Sequence, residues 1–456
     1  MKEYLFLICF YFCLFGTLAQ HGSHAKQDEP EKEHELMVDS VRAPMSHAYS
    51  LKLPMSRNGS GTGWLPDASP MYGYMVHSEK WMYMFHGNVF LRYTNQDITG
   101  RGTRGDSKID APNWVMAMGQ RRVGKKGLFR YSGMFSFDPL FGGDGYPLLF
   151  QTGETYQGRP LVDRQHPHNL FSELSVAYTH GFSSDTDAFV YLAYPGEPAL
   201  GPVAFMHRPS SFNTPDSPLG HHWQDATHIT FGVATLGVRY KIFKLDASVF
   251  TGREPGEARY GFDRPRFDSY SYRLSVNPYP QWSLQVSRAF LKSPEPLNPE
   301  EDVWRSTASV LHSLPLSGKE ASLTSALIWG YNDSGEHHKE HSLTLESNLQ
   351  MERFAFYGRY EWIQKSAEEL LLEEQFNEDQ IFNINALTIG ANYRLFSSFG
   401  TNFSAGLQGS VYHTDSLLHP VYGKTPFSAQ VYLRISPGVM KMNTPGEHQE
   451  TEMMHH

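Results

Sequence analysis

Cysteine is nearly missing from this chain: Cys9 and Cys13 are the only two in 456 residues, and both lie in the apolar run near the N-terminus. The rest of the chain therefore has no disulfide framework and no cysteine metal site, so hydrogen bonding and packing must stabilise it. Long apolar runs are also missing. After Leu18 no stretch approaches the roughly 18 to 20 consecutive apolar residues of a spanning helix, which argues against a helical membrane protein. Excess positive charge is absent as well, and a formal net charge of −9 argues against nucleic acid as partner. There is no G-x-S-x-G elbow and no glycine-rich phosphate cradle between a strand and a helix, so no enzyme is expected. A lipid hydrolase would have to cast His228 near Thr230, or His207 near Ser210 and Ser211, as its machinery.

The N-terminus has the pattern of an export signal. Lys2 precedes an apolar run from Leu5 to Leu18 that leads into Thr17-Leu18-Ala19, so residues 1–19 are expected to be cleaved and the mature chain to begin near Gln20. Aromatics make up 14% of residues while mean hydropathy is −0.45, so the chain is aromatic-rich without being hydrophobic.

From about residue 80 the sequence becomes a series of segments of about ten residues that alternate apolar and polar side chains. In 426–436, Phe427, Ala429, Val431, Leu433 and Ile435 share one face, and Ser428, Gln430, Tyr432, Arg434 and Ser436 the other. In 353–363, Phe354, Phe356, Tyr360 and Trp362 oppose Tyr357, Arg359 and Glu361. Strands are expected at 80–93, 113–121, 127–137, 170–181, 187–194, 228–240, 244–251, 267–277, 280–290, 303–313, 320–331, 341–350, 353–363, 383–395, 401–413 and 426–436. Every second connection is short and the alternate ones are long, the asymmetry of outer-membrane barrels with tight periplasmic turns and long extracellular loops. Closure follows from solvent physics: no water reaches the bilayer core, so each strand must pair on both edges. The fold class expected is an all-β transmembrane antiparallel barrel of about 16 strands, within a range of about 14 to 18. Trp81, Tyr83, Tyr178, Tyr240, Tyr279, Trp282 and Trp304 lie near strand ends and fit interfacial girdles.

Four regions follow: a signal peptide at 1–19, a flexible periplasmic extension carrying His and Met at 20–78, the barrel at 79–437, and a flexible tail at 438–456. The extension and tail hold His21, His24, His34, Met37, Met442, Met453 and Met454 among others, residues that bind copper weakly when spread over a mobile chain. The acidic run at 368–379 reads as a solvated extracellular loop.

The densest chemistry lies in two long connections. One holds Asp163-Arg164-Gln165-His166-Pro167-His168. The next holds Gly196-Glu197-Pro198, Phe205-Met206-His207-Arg208-Pro209 and Gly220-His221-His222-Trp223-Gln224-Asp225, and closes on His228. Neutral imidazole suits Zn, Cu, Fe or Ni, and the Met206 thioether selects soft Cu(I). The candidate ligands are His166, His168, Met206, His207, His221, His222 and His228, with Cu or Zn as the implied metal. The competing reading is that these histidines hydrogen-bond a proline-stiffened loop together. Asp163, Arg164, Glu197, Arg208 and Asp225 are candidates to line a pore and set its selectivity, or else to pair with one another inside the loops.

The stretches GEPALGP at 196–202, FMHRP at 205–209, GHHWQDATHITFG at 220–232 and GREP at 252–255 resemble a family of Gram-negative outer-membrane proteins associated with heavy-metal and copper resistance. The likeness spans 60–260, and beyond that only the strand rhythm matches. It implies a barrel, tilts the histidines toward metal, and carries no established activity. The expected partners are outer-membrane lipids and lipopolysaccharide, the barrel-assembly machinery, and a small solute or metal ion, with the oligomeric state open. The function expected is passage or binding of small solutes, transition metal first, against a general solute channel with structural histidines and, third, a lipid hydrolase.

Overall fold

The computed structural model describes residues 46–440 apart from Lys319, Glu336 and His337. The expected signal, residues 20–45 and the tail beyond Met440 lie outside the described residues. The strands are β1 (Tyr74–His77), β2 (Met82–Asn95), β3 (Ser107–Asp110), β4 (Asn113–Val123), β5 (Gly127–Phe135), β6 (Tyr146–Tyr156), β7 (Arg159–Gln165), β8 (Phe171–Gly181), β9 (Thr186–Ala193), β10 (Val233–Tyr240), β11 (Phe243–Phe250), β12 (Ser269–Val276), β13 (Trp282–Leu291), β14 (Val303–Pro315), β15 (Ser322–Asp333), β16 (Lys339–Met351), β17 (Phe354–Ser366), β18 (Ile381–Ser398), β19 (Thr401–Thr414) and β20 (Phe427–Pro437).

Eighteen strands form one sheet and β6 pairs with β7 as a separate hairpin. Two of the eighteen, β1 and β3, are four-residue additions along β2. The other 16 form a closed antiparallel ring. Its closing seam pairs β2 with β20, from Val89 opposite Ile435 to Asn95 opposite Ala429.

Alternation decides which way each side chain points. In β10, Leu236 and Val238 face outward, at 68% and 51% exposure, while Thr235 and Arg239 face inward at 0% and 3%. The same parity puts Phe354, Phe356, Leu387, Ile389, Leu407, Val431 and Leu433 on the outside, and Arg359, Glu361, Gln430 and Arg434 on the inside. An exposed apolar belt around a polar interior is the pattern of a barrel in lipid. Short turns such as Lys241-Ile242 and Glu352-Arg353 make up one rim, and the long connections make up the other.

The lumen is filled from both ends. The expected flexible extension is folded over its described part: residues 46–70 lie across the turn rim, with Ala48, Tyr49, Leu51, Met55 and Trp64 buried. Inward polar side chains supply its partners. Ser50 Oγ donates to Asp187 Oδ2 (2.6 Å) and Thr62 Oγ1 to Asp246 Oδ2 (2.6 Å), Asn277 Nδ2 donates to the Leu65 carbonyl (2.9 Å), and Ser283 Oγ to the Trp64 carbonyl (3.1 Å). Composition marked this segment as disordered because it is polar and rich in Pro and Gly, but a polar lumen offers such a backbone the hydrogen bonds that an apolar core would not. The start of the tail is also held: Val439 pairs with Tyr72, and the Met440 amide donates to the Met71 carbonyl.

From the opposite rim, residues 194–232 dip into the barrel and are pinned around its circumference. The Ala199 amide donates to Ser248 Oγ (2.7 Å), the Gly201 amide to Ser287 Oγ (2.9 Å) and the Leu219 amide to Glu361 Oε1 (2.6 Å), while Gln408 Nε2 donates to Asp216 Oδ2 (2.6 Å). The strand expected at 228–240 accordingly begins at Val233, because Ala226–His228 form a helical turn inside the lumen. The acidic run is partly inserted too. Leu370 and Leu372 are buried with Phe150 and Tyr422, so it is a cap on the mouth rather than a fully solvated loop.

Candidate metal centre

The two inserted connections bring five histidines together. His166 and His168 follow β7, while His221 and His222 open the one-turn helix His221–Gln224 and His228 ends the next turn. Gln224 Nε2 donates to Ser342 and Thr344 on β16 (3.1 and 3.0 Å), and the Lys365 ammonium lies 4.4 Å from the Trp223 ring centroid, which fixes this helix against the wall. Ring centroids are 5.9 Å apart for His166–His221, 5.3 Å for His166–His222 and 5.2 Å for His221–His222. One nitrogen from each of these three lies within 4.8 Å of the others. His228 continues the group 5.0 Å from His221, and His168 lies 5.4 Å from His228.

Each imidazole is oriented through Nδ1. His168 Nδ1 lies 2.8 Å from Asp138 Oδ2, His221 Nδ1 is 2.5 Å from Asp225 Oδ1, His222 Nδ1 is 2.9 Å from Glu254 Oε1, and His228 Nδ1 is 2.9 Å from the Asp225 carbonyl. His166 Nδ1 sits 3.2 Å from Glu154 Oε1. A carboxylate or carbonyl only accepts, so Nδ1 carries the proton and Nε2 keeps its lone pair. The Nε2 atoms of His168, His221, His222 and His228 are buried without a hydrogen-bond partner. Histidine metal ligands are held in this way, with the second ring nitrogen donating to an outer oxygen.

Local backbone makes room for the group. The β6–β7 ladder is irregular, and Glu154 (φ 59°) sits in a left-handed conformation. Gly153 (φ 114°) passes against the His222 ring, where a Cβ would collide with it. Burial pushes the His166, His221 and His228 imidazoles below their usual range, which keeps them neutral and able to ligate. Burial opposes ionisation of Glu254, yet His222 beside it holds its carboxyl below the ordinary value. Neutral nitrogen donors backed by carboxylates fit Zn(II) or Cu(II).

Two expected ligands fall elsewhere. His207 lies beside Trp114 and His86, with ring centroids at 4.5 and 5.6 Å, and Met206 packs among methionines of β2 and β4. They follow Phe205, whose ring stands between the two groups, 5.3 Å from His221 and 6.4 Å from His228. Four of the five charged candidates form ion pairs. Asp163 meets Arg104 (3.3 Å) and the Tyr422 hydroxyl (3.1 Å), and Arg164 meets Asp144 (3.0 Å) and Asp106 near the mouth. Arg208 joins Asp225 (2.6 Å) to Glu346 (2.8 Å). Glu197 is buried at the junction with the N-terminal segment, its amide donating to the Tyr191 hydroxyl (3.3 Å).

Sequence reasoning missed Asp138, Glu154, Glu254 and His86. Glu254 was in view within the GREP stretch at 252–255, but a carboxylate behind a histidine leaves no mark of its own in spacing.

No protein-family model matches the chain, and no curated protein matches it. Among solved structures it is similar to an anion-selective porin from Comamonas acidovorans, with 12% identity, TM-score 0.49, and 78% of this chain and 100% of that chain covered. A Salmonella typhi OmpF complex with daunomycin gives 9% identity, TM-score 0.47, and 80% and 100% coverage. A loop-deletion mutant of OmpT, an outer membrane protein of Vibrio cholerae, gives 8% identity, TM-score 0.46, and 78% and 99% coverage.

Proposed function

We propose that the protein is a plugged, porin-like outer-membrane barrel that binds a divalent transition metal, Cu(II) or Zn(II), at the histidine centre in its lumen. The observation that carries this reading is the set of buried Nε2 atoms without partners on His168, His221, His222 and His228. A buried polar atom left unpaired costs about 1–3 kcal/mol. Several such atoms side by side, each on a ring oriented through its other nitrogen, make sense when a cation satisfies them together. His166, His221 and His222 are the ligands, with His228 and His168 extending the set, and Asp225, Glu254, Asp138 and Glu154 hold the rings.

The test is metal content and titration of protein refolded in detergent, comparing wild type with the His221→Ala, His222→Ala double variant. Stoichiometric Cu(II) or Zn(II) binding that is lost in the variant is the expected result. Equal affinity in the two proteins would overturn the assignment and return the histidines to a structural role.

A further inference from the structure

Most of the inward wall is polar, as in the Thr235, Arg239, Asp246 and Arg273 positions of β10 to β12. One sector is not. β2 and β4 turn Met84, His86, Met116 and Met118 inward, with Met84 opposite Met118 and His86 opposite Met116 in the ladder. The plug completes a chamber against this sector with Met206 and His207. Its cavity holds about 90 Å³, more than a single water or a bare metal ion requires. The His86 and His207 rings stand 5.6 Å apart at its edge, and His86 Nε2 is buried with no hydrogen-bond partner.

Methionine is a common gap-filler, because its thioether adapts to irregular spaces. That role does not account for a gap left open, nor for the His86 imidazole set among the sulfurs without the hydrogen bond that burial of its Nε2 demands. Thioether sulfur with imidazole is the donor combination that selects soft monovalent metal over Zn(II) or Mg(II). Phe205 packs against His221 on one side and belongs to the buried methionine cluster on the other, and the next two residues, Met206 and His207, line the chamber.

We propose that this chamber is a second metal site that takes a soft monovalent cation, Cu(I) or Ag(I), on the thioethers of Met84, Met116, Met118 and Met206 with His86 and His207. Its donors are distinct from those of the histidine centre, so each site stands or falls by its own ligands.

Ag(I), which needs no reductant, is the probe. Full-length protein in detergent, labelled with ¹³C at the methionine methyls, is titrated with Ag(I), and the Met84, Met116 and Met118 resonances are assigned by single leucine substitutions. The expected result is that these three resonances shift together at substoichiometric Ag(I). They should shift equally in the His221→Ala, His222→Ala variant, while a Met84→Leu, Met116→Leu, Met118→Leu variant loses that equivalent of Ag(I). Folding of the triple variant is checked by circular dichroism; should it not fold, Met118→Leu alone is read for weakened binding. Chamber resonances that stay in place while Ag(I) binds elsewhere on the chain, or leucine substitutions that bind Ag(I) as wild type does, would overturn the proposal.

Discussion

Asp225 Oδ1 accepts the Nδ1 proton of His221 at 2.5 Å, while its other oxygen accepts from Arg208 Nη1 at 2.6 Å. Arg208 Nε in turn donates to Glu346 Oε1 on β16 at 2.8 Å. The His221 ring is thereby tied to the barrel wall through one continuous polar chain. His221 and Asp225 are four residues apart across a single helical turn, so local sequence sets the first link and the strand register of β16 sets the last.

Asp225→Asn tests this chain. The amide fills the space but offers a single uncharged acceptor and an NH2 donor, so it cannot accept from both His221 and Arg208 and holds the His221 tautomer more weakly. Metal affinity is expected to fall roughly 10- to 100-fold, the usual cost of removing an outer-shell partner. Isothermal titration of the refolded variant with Zn(II) reads the change. An unaltered affinity would mean that the Asp225 charge does not support metal binding through His221.

Gly153→Ala tests the room left for His222. A Cβ there collides with the imidazole, and the backbone at φ 114° disfavours any side chain, a strain of about 1–3 kcal/mol. The expected outcome is weakened metal binding with the barrel's far-ultraviolet spectrum unchanged, because the hairpin lies within the lumen and outside the wall ladder. Wild-type affinity would show that His222 can leave its position without consequence for the site.

The wall was legible in the sequence because one physical rule acts on every strand: lipid outside and polar lumen inside force a period of two, so Val431 and Gln430 declare their faces without reference to anything distant. The alternation of short and long connections was legible from the spacing of these segments alone. The plug was not. Thr62 and Trp64 owe their order to Asp246 and Ser283, almost two hundred residues or more away, and such partners leave no local pattern. The histidines were recognisable by density, since His221 and His222 are adjacent and His166 and His168 share one connection. Separating His207 from them required Phe205 to be placed between two chambers, which only the fold of the connection decides.

Arg208 also locks the plug. Arg208→Ala leaves Asp225 with His221 alone and Glu346 with Arg359 alone, a loss below the about 3–5 kcal/mol of a buried charge left with no partner. The inserted connection should then sample open states. In planar bilayers, wild type is expected to show small or rare conductance steps and Arg208→Ala larger and more frequent ones. Arg164→Ala, at the half-exposed mouth with Asp144 and Asp106, should leave conductance as it is. A large steady wild-type conductance that is indifferent to copper would favour a general solute channel instead.

Glu197 gives the plug a pH dependence. Burial pushes its carboxyl up to about 8, and one of its oxygens has no hydrogen-bond partner. It sits where the inserted connection meets the N-terminal segment, next to the bond from the Ala204 amide to Ser60 Oγ (2.8 Å). A carboxyl with a value of about 8 folded, against 4.5 when exposed, binds more proton in the closed plug than in the open one between those two values. Closure is therefore favoured at the acidic end of that window and loses free energy as pH rises through it, by at most about 1.4 kcal/mol for each pH unit crossed. Hydrogen exchange at the amides of residues 199–204, corrected for the intrinsic effect of pH, should show faster opening at pH 8.5 than at pH 6. In Glu197→Gln, which has no proton to lose, that acceleration should vanish, and the same slope in both proteins would place the titrating group elsewhere in the lumen.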